Sequence, residues 1–206
     1  MTTLFDIAYE LCSSEFPLGG NVLEFGVFEG RSFKSMVNYL FSDYQSSEFK
    51  SQTHVYGFDS FQGLPKEQSG IWCPERHTEG AYRSSRKIID TYIKSKPESI
   101  RENLHVVEGW YSDTLTLDLQ KQLGSCIFVN IDVDLYLSTI QVLDFIKPLI
   151  QKNTILYWDD WRNPQDNYKG EWGEHLAYKN WSIKNLDVKF ETLSINEFNQ
   201  RVMRVL

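Results

Sequence analysis

Five short runs rich in β-branched, aliphatic and aromatic residues, at 21–25, 54–58, 104–108, 127–131 and 154–158, alternate with stretches of helical period at 31–41, 85–94, 114–122 and 138–150. This alternation predicts a parallel sheet flanked by helices, because parallel neighbours need long crossovers and a helix supplies them compactly. The runs are followed by Gly26 and Gly30, by Asp59, by Gly109-Trp110-Tyr111, by Asp132-Val133-Asp134 and by Asp159-Asp160-Trp161. In an open parallel sheet the carboxyl ends of the strands face one crevice, so segments far apart in the chain converge on it.

The two ends of the chain complete the sheet. A helix is expected at about 3–13, and the strand-like stretches 187–192 and 198–206, separated by a short segment around Ser194-Ile195-Asn196, read as an antiparallel hairpin. In the last crossover Ile140, Leu143, Ile146 and Ile150 recur at spacings of three and four, a core face that Pro148 should end. The whole describes an α/β, Rossmann-like class I methyltransferase sheet: seven strands, mostly parallel, with a C-terminal antiparallel hairpin. At 206 residues, 41% of them apolar, the chain reads as one domain over 1–206.

Composition narrows the partners. The formal charge is −7, from 28 acidic and 21 basic side chains with no basic cluster, which argues against nucleic acid. Cys12, Cys73 and Cys126 are odd in number and lack CxxC spacing, so neither a disulfide framework nor a zinc site is indicated, and Cys126 should be a buried strand residue. No basic segment precedes an apolar one near Met1 and no apolar run approaches a membrane span, which makes the cytoplasm the expected location and excludes a membrane partner. The stretch 60–83 is long for a loop and carries Trp72 and Tyr82, which favours a lid over a linker.

The chemistry begins at the first turn. Gly26 and Gly30 let the backbone approach a ligand, and Ser32 can offer a hydroxyl or amide near the helix start. A nicotinamide turn would read GxGxxG, whereas Glu24 occupies its first glycine position. A carboxylate there repels a pyrophosphate but suits an ammonium group, which S-adenosylmethionine carries. Asp59 can take both hydroxyls of a ribose or, alternatively, form a turn. Gly109 and Trp110 can flank an adenine, or Trp110 can simply pack. Asp132, Asp134, Asp159 and Asp160 stand at neighbouring strand ends and would repel one another without a cation; oxygen donors of this kind suit Mg²⁺.

Residues 24–32 (Glu24 to Ser32), the string Gly57-Phe58-Asp59-Ser60-Phe61-Gln62-Gly63-Leu64-Pro65, the segment from Gly109 to Leu115, the string Ile131-Asp132-Val133-Asp134-Leu135-Tyr136-Leu137-Ser138-Thr139 and Asp159-Asp160-Trp161 together resemble the macrocin O-methyltransferase family, over about residues 20–165. The resemblance implies an S-adenosylmethionine- and Mg²⁺-dependent enzyme that methylates sugar hydroxyls. It implies Asp132, Asp159 and Asp160 as metal ligands. It implies a cofactor site of Glu24, Gly26, Phe28, Gly30, Ser32, Asp59, Ser60, Gly109, Trp110 and Asp132.

For the base that removes the acceptor proton, Asp132, Asp134 and His175 are the candidates, His175 because it follows the fifth strand. The expected acceptor is a sugar or glycosylated small molecule, with a catechol-like phenol behind it. The aromatic stretch 162–184, with Trp172, Tyr178 and Trp181, matches no recognised acceptor pocket, and a homodimer stays open. A non-catalytic S-adenosylmethionine-binding protein is the rival from another class, but it would have no use for paired acids at two strand ends. A nicotinamide-dependent oxidoreductase would share the sheet and lacks the phosphate-cradling turn.

Overall fold

In the computed structural model, which describes residues 3–161 and 172–206, α1 (Leu4–Glu15) leads into β1 (Asn21–Phe25). Helices α2 (Arg31–Leu40) and α3 (Ser47–Gln52) connect β1 to β2 (His54–Asp59), and the segment after β2 contains one 3-10 turn, Glu75–His77. Then come α4 (Arg86–Lys94), α5 (Glu98–Arg101), β3 (Leu104–Glu108), α6 (Tyr111–Thr114), α7 (Leu117–Leu123) and β4 (Cys126–Ile131). Helix α8 (Tyr136–Ile146), β5 (Ile150–Trp158), α9 (Gly173–Lys184), β6 (Phe190–Ile195) and β7 (Arg201–Val205) complete the order. The strands lie β3-β2-β1-β4-β5-β7-β6, with β7 antiparallel to both its neighbours. This is the seven-stranded sheet that the sequence pattern predicts, with the order reversing between β1 and β4, where a crevice must open.

Local chemistry sets the boundaries. Thr3 and Asp6 form a reciprocal capping box at the start of α1, each side chain accepting from the other's backbone N–H at 3.1 and 2.8 Å. In α2 the buried positions Phe33, Met36, Val37 and Leu40 form one helical stripe. All six residues of β4 are buried, as expected of a central parallel strand covered on both faces.

The core lies in two layers. Phe128, Ile155 and Tyr157 point to the side of α1 and α2, while Val129, Leu156 and Trp158 point to the side of α8 and α9, the period-two alternation of a strand. Ile127 and Phe128 both join the first layer because the register slips between Cys126 and Phe128. Cys126 is buried in β4, as its sequence context indicates.

Three expected boundaries move. The helix expected at 138–150 runs Tyr136–Ile146, and Ile150 instead opens β5, pairing with Cys126. Pro148 stops the helix two residues after its last turn, so the fourth position of the apolar stripe belongs to a strand. The helix expected at 114–122 divides into α6 and α7, because Thr116 Oγ1 accepts from Leu119 N at 3.2 Å and starts a new helix. The hairpin turn lies at 196–200, closed by Asn196, whose side chain accepts from the N–H groups of Phe198 and Gln200. No helix among the described residues is long and apolar enough to cross a membrane.

Candidate active site

A crevice of about 630 Å³ opens at the carboxyl ends of the parallel strands, within the range of small-molecule sites. Gly26, Phe28, Asp59, Ser60, Gly109, Trp110, Asp132, Asp134, Asp159 and Asp160 line it. Glu24, Gly30, Ser32 and His175, also singled out from the sequence, do not.

The turn after β1 is fixed from two sides. Gly26 has φ +87°, and a Cβ there would fall 1.8 Å from the carbonyl oxygen of Asp132, so only glycine lets the β1 turn lie against the end of β4. Asp59 holds the other side: one oxygen accepts from Val27 N at 2.8 Å and Phe28 N at 2.7 Å, the other from Phe61 N at 2.6 Å. Those bonds occupy three of a carboxylate's roughly four acceptor positions.

Glu24 lies behind this turn and is fully buried. One of its oxygens accepts from Asn130 Nδ2 at 2.9 Å, and burial pushes its carboxyl up to about 8 despite the hydrogen bonds from Ser32 and Asn130. Its position, one residue before the strand end on a strand buried on both faces, separates it from the crevice wall.

The acidic residues meet at the crevice floor. One carboxylate oxygen from each of Asp132, Asp159 and Asp160 lies within 4.8 Å of the others. Burial first, then the neighbouring acids, push the carboxyls of Asp132 and Asp160 well above the usual range and Asp159 up to about 6. Asp159 is also held by the hairpin, its Oδ1 accepting from Gln200 Nε2 at 2.5 Å and from the Tyr157 hydroxyl at 3.4 Å. Three clustered oxygen donors in a destabilised, like-charged set fit a hard divalent cation.

Two residues that sequence reasoning left aside stand directly behind this floor. His77 is buried, and its Nε2 lies 2.7 Å from Asp134 Oδ1. Its Nδ1 has no hydrogen-bond partner among the described residues, and burial lowers the imidazole's pKa. Burial therefore disfavours the charged imidazolium, while the Asp134 carboxyl faces Nε2. Glu174, fully buried in the first turn of α9, accepts from Val133 N at 3.0 Å and from Asp160 N at 3.2 Å. His175, the next residue, packs on the Trp161 ring at 5.0 Å. Helical geometry turns consecutive side chains about 100° apart, so Glu174 faces the two loops behind the floor and His175 points elsewhere.

The stretch 60–83 forms one wall of the crevice. Lys66, Glu67, Arg76 and Tyr82 from it line the crevice, Glu67 accepts from Leu137 N at 3.2 Å, and Leu64 and Ala81 pair across its base at 2.8 Å. Trp172 packs on His77 at 4.8 Å. Tyr178 and Trp181 instead belong to the core layer under β5, and residues 162–171 of the aromatic stretch lie outside the described residues. Phe28, Tyr82 and Asp134 line the crevice with positive φ of 51°, 57° and 57°, a backbone strain that side-chain-bearing residues hold only where surroundings enforce it.

A doubly wound sheet with a glycine turn after β1 and carboxylates after β4 and β5 defines a group-transfer enzyme of the methyltransferase class. Residues 23–161 match the methyltransferase domain family, and the chain belongs to it. No curated protein sequence matches the chain at a significant level. Among solved structures it is similar to the O-methyltransferase NovP, with TM-score 0.74 and 18% identity over 97% of this chain and 78% of that one. The calicheamicin methyltransferase CalS11 superposes with TM-score 0.72 and 20% identity, covering 97% of this chain and 76% of that one. An O-methyltransferase from Bacillus cereus in complex with SAH follows at TM-score 0.57 and 16% identity, over 100% of this chain and 84% of that one. At these identities the likeness extends to the fold.

Proposed function

We propose that the chain, as one catalytic unit over 1–206, transfers the methyl group of S-adenosylmethionine to a hydroxyl of a sugar or glycosylated small molecule, with Mg²⁺ held by Asp132, Asp159 and Asp160. The observation that carries this reading is the convergence of the Gly26 turn, Asp59 and the three clustered carboxylates in one crevice. Similarity to a structure described as that of CalS11, a TDP-rhamnose 3'-O-methyltransferase, supports a sugar acceptor.

Gly26 and Phe28 would receive the amino-acid end of the cofactor, Asp59 and Ser60 the ribose, and Gly109 and Trp110 the adenine. The acceptor position left on Asp59 serves a ribose hydroxyl, while its three backbone bonds keep the carboxylate aimed. Glu24, Gly30 and Ser32 act at one remove, by shaping and polarising the turn. A divalent cation on Asp132, Asp159 and Asp160, when bound, lowers the pKa of an acceptor hydroxyl and stabilises developing alkoxide.

The acceptor oxygen attacks the methyl carbon in line with sulfur: an O–C bond forms, the S–C bond breaks, and the proton passes to a side chain. Asp134 is the proton acceptor we favour over Asp132 and His175, because it lines the crevice outside the proposed metal-ligand set and the buried His77 ring, 2.7 Å away, holds its carboxylate from behind. Phe28 and Tyr82, 39% and 44% exposed, offer ring faces at the crevice for a sugar. The closed lid excludes water and fixes orientation.

Calorimetric titration with S-adenosylmethionine and with NAD, each with and without Mg²⁺, tests the reading on wild type and on an Asp159→Ala/Asp160→Ala variant. Saturable S-adenosylmethionine binding, with Mg²⁺ binding lost in the variant, is expected. Preference for NAD, or no binding of either, overturns it.

A further inference from the structure

We infer that Glu174, through the two backbone N–H groups it accepts, is the positioning residue that sets the spacing of the carboxylates after β4 and β5; the inference rests on the metal reading above. One oxygen of its carboxylate accepts from Val133 N and the other from Asp160 N, so a single rigid side chain ties the loop carrying Asp132 and Asp134 to the loop carrying Asp159 and Asp160. The two loops also meet through the Asp134 and Asp160 side chains and through the β4–β5 ladder, whose last pair is Ile131 with Trp158. Beyond that pair Asp159 N still donates to the Ile131 carbonyl at 3.0 Å, but the ladder's regular pairing has ended.

The approach of α9 to this point is itself built in. Gly173 has φ +60°, and a Cβ there would lie 2.5 Å from the Asp134 carbonyl oxygen, so the first residue of the helix is held against the β4 loop. Glu174 then sits in the first turn, where the helix dipole favours an anion, and its carboxylate turns outward from its own helix to serve two foreign donors. A carboxylate accepting at both oxygens has a geometry that glutamine cannot copy, since one amide end would present N–H to N–H. Aspartate keeps the charge but is one methylene too short to span both loops.

These two substitutions separate positioning from charge. The readouts are Mn²⁺ affinity by electron paramagnetic resonance, thermal midpoint, and hydrogen exchange at the amides of Val133 and Asp160. In Glu174→Gln and Glu174→Asp alike, Mn²⁺ affinity is expected to fall about tenfold or more, the usual effect of losing a group that orients metal ligands. Exchange at Val133 or Asp160 should accelerate while the Asp59-bonded amides of Val27 and Phe28 stay protected. Should Glu174→Gln fail to fold, Glu174→Asp carries the comparison alone. Wild-type Mn²⁺ affinity in a folded Glu174→Asp protein overturns the positioning role and leaves the metal reading standing. Absence of Mn²⁺ binding by the wild type overturns both.

Discussion

His77 Nε2 and Asp134 Oδ1 lie 2.7 Å apart, joining the middle of the lid to the floor of the crevice. The pair is buried, and the histidine reaches it from a 3-10 turn that Cys73 Sγ also braces by donating to the His77 carbonyl at 3.1 Å. The segment 60–83 and the placement of Asp134 are therefore linked through one buried contact.

Removing that bond should loosen the lid. A buried hydrogen bond to a charged group contributes roughly 1.5–3 kcal/mol, so His77→Ala should raise the population of the open lid about tenfold or more. Limited proteolysis within 60–83 is expected to accelerate accordingly, with binding of S-adenosylmethionine little changed. Unaltered proteolysis would show that other contacts hold the lid.

The proposed cation site predicts that its crowded acids cost stability when no ion is bound. In the presence of EDTA, Asp160→Asn keeps the side chain's shape and removes one of several repelling charges, so its thermal midpoint should exceed that of wild type by about 3 °C. Added Mg²⁺ should raise the wild-type midpoint and leave the variant's unchanged. A lower midpoint in EDTA would mean that repulsion does not dominate there.

Glu24 predicts a pH signature. Its folded pKa of about 8 lies above the ordinary 4.5, so the folded state holds the proton that the unfolded chain releases. The stabilisation is complete below the unfolded value and is lost as pH rises through about 8. Between pH 6 and 9 wild type should lose on the order of 2 kcal/mol more than Glu24→Gln, read from urea midpoints at the two pH values. Parallel pH profiles for the two proteins would assign the titration elsewhere.

Gly26→Ala tests the β1 turn. The added methyl would meet the Asp132 carbonyl at 1.8 Å in a backbone conformation that L-residues avoid, so the turn or the β4 end must shift. A stability loss of about 2–4 kcal/mol is expected by chemical denaturation, along with a tenfold or greater loss of S-adenosylmethionine affinity. Gly80→Ala, at a positive-φ position with open space around it, provides the control for backbone strain alone.

The architecture was legible in the sequence because period-two and helical patterns are local: β1 and β3 fall where the runs at 21–25 and 104–108 place them, and the acids at the strand ends follow from topology. Asp59, Asp132, Asp159 and Asp160 needed no more than their positions after apolar runs to be drawn to one crevice. Boundaries depended on longer reach. Ile150 continues a helical stripe in the sequence yet becomes a strand residue, because its backbone pairs with Cys126.

What the tertiary structure alone decided is which polar residues stand behind the site. Glu174 and Val133 are 41 residues apart, as are Gln200 and Asp159, and no local pattern marks either pair. Sequence position favours His175, but the fold turns it onto Trp161 and instead buries His77, from the segment 60–83, against Asp134. Sequence periodicity fixes which face a residue occupies within its own element; the packing of α9 and the lid onto the sheet determines what that face meets, and that depends on contacts no single segment encodes.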